Sequence, residues 1–197
     1  MMLNLYRVFA FAAVAILAVV VIAAFAVPHS QASATTTYGT LTQSQLGSLD
    51  PYLPGTNITV SGNAVYINGS ATVPVLMGPM NETSMYSFEI FGVVNPELHV
   101  RAGSTVHFLA VNVDNDSYHN FAISARGPPY YYMAGMMQGG WNGNGFLAGM
   151  SFLSPMGNSI FHYASFSYQF SSAATLWYLC TYPGHAQQGM YGEIVVS

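Results

Sequence analysis

The chain is short of charge. Its 197 residues include only 3 Lys+Arg and 7 Asp+Glu, so 5% are charged, against about 25% in ordinary globular proteins. No lysine is present at all, and the three cations are Arg7, Arg101 and Arg126. Neutralising nucleic-acid phosphates takes a basic face, so a net charge of −4 excludes a nucleic-acid binder. A single cysteine, Cys180, excludes an internal disulfide framework and any zinc or iron–sulfur site built on paired thiolates. The seven acids are scattered beside turns and form no acid and base pair. Disorder is excluded from the opposite side, because 52% hydrophobic and 14% aromatic residues with a mean hydropathy of +0.36 are far from the polar, highly charged composition of unfolded chains.

What is present begins with an uninterrupted apolar run. Val8 to Val27 carries no charged or polar side chain and is bracketed by Arg7 and Pro28. Twenty residues of helix span about 30 Å, the thickness of a bilayer's hydrocarbon core. The run exceeds the usual apolar stretch of a cleaved signal, although Ala32-Ser33-Ala34 offers a small-x-small cleavage pattern. The reading is a transmembrane anchor over 8–27, or an uncleaved signal, with residues 1–7 cytoplasmic and the remainder outside. The Ser/Thr/Gln-rich stretch that follows predicts a linker over 28–50. Four sequons, at Asn57, Asn68, Asn81 and Asn115, suggest a glycoprotein whose sugars do what surface charge does elsewhere.

Beyond residue 51 the pattern is β. Ile58–Val60 and Ala64–Ile67 flank the turn Ser61-Gly62-Asn63, and Ser87–Phe91, Glu97–Val100, Thr105–Val113, Phe121–Ser124, Phe166–Phe170, Thr175–Leu179 and Gly192–Val196 alternate or run apolar. Many short strands without a long amphipathic helix imply an all-β antiparallel sandwich or barrel over 51–197. Periodicity disappears in a Gly- and Met-rich insertion, 127–158, whose methionines pack against its aromatic residues or offer soft thioethers to Cu(I).

Chemistry concentrates near the carboxyl end, in Cys180-Thr-Tyr-Pro-Gly-His185-Ala-Gln-Gln-Gly-Met190. A strand ends on a thiol, a Pro-Gly loop presents an imidazole, and a further glycine returns a thioether as the last strand opens. Thiolate, neutral imidazole and thioether favour copper, and one Cys with two His plus a long axial Met is the blue-copper arrangement. A second imidazole is required. His119, after the polar loop 114–118, is the leading candidate, with His99, His107 and His162 as competitors.

The Cys-x4-His-x4-Met motif, the upstream His119-Asn-Phe and the Val-Arg-Ala-Gly-Ser-Thr-Val-His-Phe segment resemble the blue copper proteins, or cupredoxins. Spacing, anchor and sequons are most similar to sulfocyanin, the archaeal member, and then to rusticyanin. The resemblance implies a Greek-key β-sandwich with one type 1 copper held by His119, Cys180, His185 and Met190, and Asn120 tying the copper loops together. It implies an electron carrier and not an enzyme, on the extracellular side of the membrane of an acid-loving archaeon. Its partners would be an upstream cytochrome or iron-oxidation component and a terminal haem–copper oxidase. The electron is expected to leave through an exposed edge of His185, within an apolar patch formed by Pro183, Gly184, Ala186 and Tyr191. An extracellular copper chaperone or store would use the same ligands to trap metal.

Overall fold

Strand-forming segments separated by tight turns assemble, in the computed structural model of the protein, as two stacked sheets. The structure describes residues 35–51, 53–79, 85–137 and 145–197. The anchor over 8–27, residues 28–34 of the expected linker and the sequon residue Asn81 lie outside them. Among the described residues no helix is long and apolar enough to cross a membrane. The chain divides into two units, 1–33 and 34–197, and the sandwich belongs to the second.

One sheet runs in the order β1 (Thr37–Thr42), β11 (Ile160–Gln169), β8 (Thr105–Asn112), β4 (Ala71–Met77), β5 (Phe88–Ile90) and β6 (Val93–Val94). The other runs β10 (Phe146–Gly149), β9 (Ala122–Ser124), β12 (Ala174–Leu179), β13 (Tyr191–Val196), β7 (Glu97–Val100), β3 (Ala64–Ile67) and β2 (Ile58–Ser61). The sheets are mixed, not purely antiparallel: β4 pairs with β8, and β3 and β13 with β7, in parallel. The cause is visible between β7 and β8. Their connection, Arg101–Ser104, turns through Gly103 at φ +88° and carries the chain from one sheet to the other, as a Greek key requires.

Alternation places every second side chain of each strand in the space between the sheets. Phe88, Phe108, Phe121, Phe166 and Tyr178 meet there, all with essentially no exposure. Phe121 stacks on Tyr178 at 5.4 Å and tilts against Phe108 at 5.0 Å. Burying one such side chain is worth about 1.5–3 kcal/mol. This aromatic floor supports the end of the sandwich where β8, β9, β12 and β13 present their loops.

The domain starts earlier than residue 51. The second half of the expected linker is a strand and a helix. β1 pairs with β11 from Thr37↔Ser165 to Thr42↔Ile160, and Thr42 closes a capping box with Gln45 at the start of α1 (Gln43–Ser48). Leu46 then packs with Leu76, Val111 and Phe161 in a second, smaller core. An edge strand with a single apolar contact stripe shows little periodicity, so its Ser/Thr content masked it. Strand β4 was hidden by Pro74, which interrupts a strand pattern. It is tolerated because β5 pairs only with Leu76 and Met77, leaving the side opposite β8 open at Pro74. Within the insertion lie α2 (Ala134–Met137) and β10. Met150 joins the main core and Met156 packs against the smaller one, as gap-filling thioethers do. Of the other sequon residues, Asn57, Asn68 and Asn115 are exposed.

Candidate metal centre

Strand ends and the loops between them bring His119, Cys180, His185 and Met190 to one end of the sandwich. Cys180 follows β12, and its amide donates to the Met190 carbonyl at 3.1 Å, so the thiol and the thioether lie on adjacent chains. Between them Gly184 turns at φ +83°, a short 3-10 turn spans Ala186–Gln188, and Gly189 at φ +105° redirects the chain into β13. The Met190 amide donates to the His185 carbonyl at 3.0 Å, which pins the loop onto its own imidazole residue. His119 arrives from the opposite side, where its amide and carbonyl form a bridge with Leu153 of the insertion.

His119 Nδ1, Cys180 Sγ and His185 Nδ1 form a triangle with separations of 3.9, 3.5 and 3.1 Å. Donors at about 2.0–2.1 Å for nitrogen and about 2.3 Å for sulfur around one first-row ion would lie about 3.5–3.8 Å apart in a plane. The residues therefore fit a single copper ion. Among the described residues this is the one cluster of His, Cys, Asp and Glu able to hold a metal. Met190 is fully buried in the same core cluster as Cys180. His99 lies instead on β7, paired with Glu97 at 2.8 Å and stacked on Tyr66. His107 meets Ser167, and His162 is opposite Asn112 on β11. None of the three reaches the triangle.

Both imidazoles present Nδ1 to the triangle because Nε2 is occupied elsewhere. His119 Nε2 meets Asp114 Oδ2 at 2.9 Å, and both side chains are buried. His185 Nε2 faces Ser117 Oγ at 3.4 Å. Asn120 links the two ligand segments: its Nδ2 donates to Thr181 Oγ1 at 2.9 Å and to the Met150 carbonyl at 3.1 Å, while its Oδ1 accepts from the Thr181 amide at 2.7 Å. Asn112 fixes the loop before His119 by donating to the carbonyls of Leu153 and Ser154 and accepting from the Asp114 amide.

Burial sets the protonation of the donors. Loss of water pushes His185 down to about 4, an effect that His119 deepens and Asp114 opposes. His119 is also lowered, chiefly by burial and against the pull of Asp114. Both rings are thus neutral at ordinary pH and offer a lone pair. Burial drives the Cys180 thiol up to about 12, although the backbone amides of Asn120 and Tyr182 draw it back. The thiolate is therefore stable here only when a cation replaces its proton. Asp114 would be raised by burial, but hydrogen bonds from His119 and from the Asp116 amide bring it below its ordinary value, so it stays ionised.

The sequence had marked the four ligands and Asn120, but not what holds them. Asp114 and Gly78 carry no motif, and Ser117 is marked only as the last residue of the Asn115 sequon. Asp114 was visible only as an acid five residues before a candidate ligand. Gly78 turns at φ +67°, and a Cβ there would lie 2.6 Å from His119 Nε2 and 2.7 Å from Asp114 Cβ. The exposed patch around His185 is corrected by the structure. His185 is 4% exposed and Ala186 2%, and Gly184 is buried. The insertion covers Gly184 and Ala186, where the Gly184 amide donates to the Tyr132 carbonyl at 2.7 Å and Tyr130 and Ala134 pack on Leu179 and Ala186, while Ser117, Tyr86 and Tyr182 close on the His185 ring.

A Greek-key sandwich with a buried Cys, two imidazoles aimed by fixed hydrogen bonds and a Met at the next strand defines a mononuclear blue copper protein. Residues 90–197 match the copper-binding proteins of the plastocyanin/azurin family, and the chain belongs to that family. It is 33% identical to rusticyanin of Acidithiobacillus ferrooxidans over 143 residues, covering 73% of this chain and 68% of that protein. Rusticyanin of Acidithiobacillus ferridurans is 32% identical over the same shares. A solved structure of rusticyanin from Thiobacillus ferrooxidans superposes with a TM-score of 0.70 at 29% identity, covering 83% of this chain and 99% of the other. A reduced rusticyanin gives 0.69 at 31%, covering 82% and 100%. These relatives are rusticyanins, and the family they share with this chain is that of the cupredoxins. Such proteins transfer electrons and are not enzymes.

Proposed function

We propose that the chain is a membrane-tethered carrier on the outer face of the cell, passing single electrons from a cytochrome or iron-oxidising donor to a terminal haem–copper oxidase. The observation that carries the electron-transfer part is the buried His119–Cys180–His185 triangle, with buried Met190 held to the Cys180 and His185 backbone. Copper bound there supplies a one-electron couple. The protein's part is to hold the donors so that little moves between the two oxidation states. Asn120 clamps the Cys180 segment, Asp114 orients His119, and Ser117 stands against His185.

The tether is supported by the apolar run Val8–Val27. The outward side is supported by Arg7 and by the sequons at Asn57, Asn68, Asn81 and Asn115. Likeness to the archaeal sulfocyanins, together with a chain that has few carboxylates to protonate, supports an acid-loving host.

The test takes the purified full chain loaded with copper. One copper per chain with a strong band near about 600 nm, lost in Cys180→Ser, supports the carrier. Colourless uptake of several Cu(I) supports the chaperone instead. The reduced protein should drive oxygen uptake by membranes containing a haem–copper oxidase, and deletion of residues 1–34 should release it from washed membranes. Failure of either result removes the partner or the tether while leaving the copper site intact.

A further inference from the structure

With His185 buried, the electron needs another way to the surface, and several contacts converge on one exposed ring. Ser117 Oγ faces His185 Nε2 at 3.4 Å, so the ring edge that an exposed ligand would offer to a partner is covered by a residue bonded directly to Tyr118. Tyr182 lies 4.8 Å from the His185 ring and stacks, at 13° between planes and 6.0 Å between centroids, on Tyr118. On its other side Tyr118 is joined by one peptide bond to His119, the second imidazole ligand. Tyr118 is 44% exposed, whereas His185 is 4% and His119 0%. Phe152, 48% exposed, closes the same aromatic group by meeting Tyr182 edge-on at 5.4 Å. Tyr86 touches His185 at 4.8 Å as well.

We infer that Tyr118 is the electron outlet of the protein. Both imidazole ligands connect to it, His119 through the backbone and His185 through Ser117 and the Tyr182 ring, and the partner touches Tyr118 rather than a ligand. The step is a one-electron transfer: the copper centre is oxidised from Cu(I) to Cu(II), the outer-sphere acceptor on the partner is reduced by one electron, and no bond forms or breaks. Tyr118 keeps its hydroxyl proton throughout, because its ring serves as a bridge for tunnelling and is not itself oxidised. It acts through the ligands and is therefore a positioning and conducting residue. The inference rests on the electron-carrying role of the site. That role fails separately if the wild-type copper protein exchanges no electrons with any reagent.

The experiment compares Tyr118→Leu, Tyr118→Phe and, as a control on the far face of the other sheet, Tyr66→Leu. Each copper-loaded full chain is oxidised by tris(phenanthroline)cobalt(III), and its potential and visible spectrum are recorded alongside. Tyr118→Leu should lose about tenfold or more in second-order rate, about 1.4 kcal/mol of effective barrier, with potential and spectrum unchanged. Tyr118→Phe and Tyr66→Leu should keep the wild-type rate. An unchanged rate in Tyr118→Leu overturns the inference, as does a loss matched by a change of potential, or an equal loss in Tyr118→Phe. A second readout needs no variant and no copper. In the metal-free protein a soluble nitroxide should broaden the Tyr118 ring signals strongly and spare those of His185, and equal broadening of both rings overturns the covered-ligand geometry on which the route depends.

Discussion

Replacing Asp114 by Asn tests what the buried carboxylate does to the copper site. The Asp114→Asn side chain keeps an oxygen that accepts from His119 Nε2, so the 2.9 Å contact is retained and only the charge is removed. A hydrogen bond to an ionised acceptor is worth about 1.5–3 kcal/mol against about 0.5–1.5 for a neutral one. The difference, about 1–1.5 kcal/mol, makes His119 a stronger donor in the wild type. Donor strength favours Cu(II) over Cu(I), so its loss raises the potential. If the whole difference acts on the couple, the rise is about 40–65 mV for one electron. The assay is voltammetry of the copper-loaded protein at a pH near 6, well above the lowered carboxyl of Asp114, with the visible spectrum as a check that the ligand set is unchanged. In the wild type the potential should also climb as acid protonates Asp114, and that climb should be absent in Asp114→Asn. A fall in potential, or no shift beyond error, would refute the claim that the carboxylate feeds electron density to the site through His119.

Three other outcomes follow from the same geometry. Asn120→Ala removes an amide clamp and leaves the buried Thr181 amide without its 2.7 Å acceptor, so the domain should lose about 2–3 kcal/mol in urea unfolding; a loss under about 0.5 kcal/mol would show that the clamp is dispensable. Gly78→Ala places a Cβ against His119 Nε2 and Asp114 at a positive φ, and should cost about 1–3 kcal/mol while broadening or shifting the copper band, whereas wild-type stability and spectrum would contradict the close approach. In the metal-free protein His185 is held down at about 4 from 6.5. Above pH 6.5 the ring is neutral folded and unfolded, and nothing is lost. Between about 6.5 and about 4 the unfolded chain takes up a proton that the folded one refuses, so stability falls by at most about 3 kcal/mol. His119 adds a loss of the same sign, and stability that stays flat from pH 7.5 to 4 would exclude both shifts.

The parts of the protein that read well from sequence are those whose physics is local. Gly62 at φ +58° and the β2–β3 hairpin around it lie where Ser61-Gly62-Asn63 placed them, because a two-residue turn leaves its own mark. The Cys180–Met190 loop is one short segment whose spacing carries its chemistry. His119 stands out in the sequence by its place after the polar loop 114–118, and the fold brings it to the triangle while leaving His99, His107 and His162 on their strands. β1 and β4 escaped because their partners, β11 and β8, are distant in sequence and supply the context that Thr-rich or Pro-containing strands lack. The burial of His185 escaped for the same reason: Ser117 and Tyr86, which close on its ring, and the Tyr132 carbonyl of the insertion, which meets the neighbouring Gly184, are all distant from it in sequence.

The scarcity of charge and the form of the site are connected. A sandwich end that excludes water cannot hold unpaired charges without a cost of several kcal/mol per ion, and a chain with few Arg and no Lys has little with which to balance an acid there. Yet Asp114 is buried, and the Cys180 thiol must ionise to act as a ligand. Two negative charges, one on Cys180 and one reaching the site through His119, equal the charge of a divalent ion, so the oxidised centre is neutral as a whole and the reduced one carries a single negative charge. The neutral imidazoles and the thioether complete the donor set without adding to it. In the metal-free state the same residues limit the charge to the single Asp114 carboxylate, which accepts a hydrogen bond from the His119 ring, by keeping the thiol protonated, up to about 12. Copper binding therefore exchanges the Cys180 proton for the ion, and copper uptake by the wild type should release close to one proton per ion near pH 7, most of it absent in Cys180→Ser.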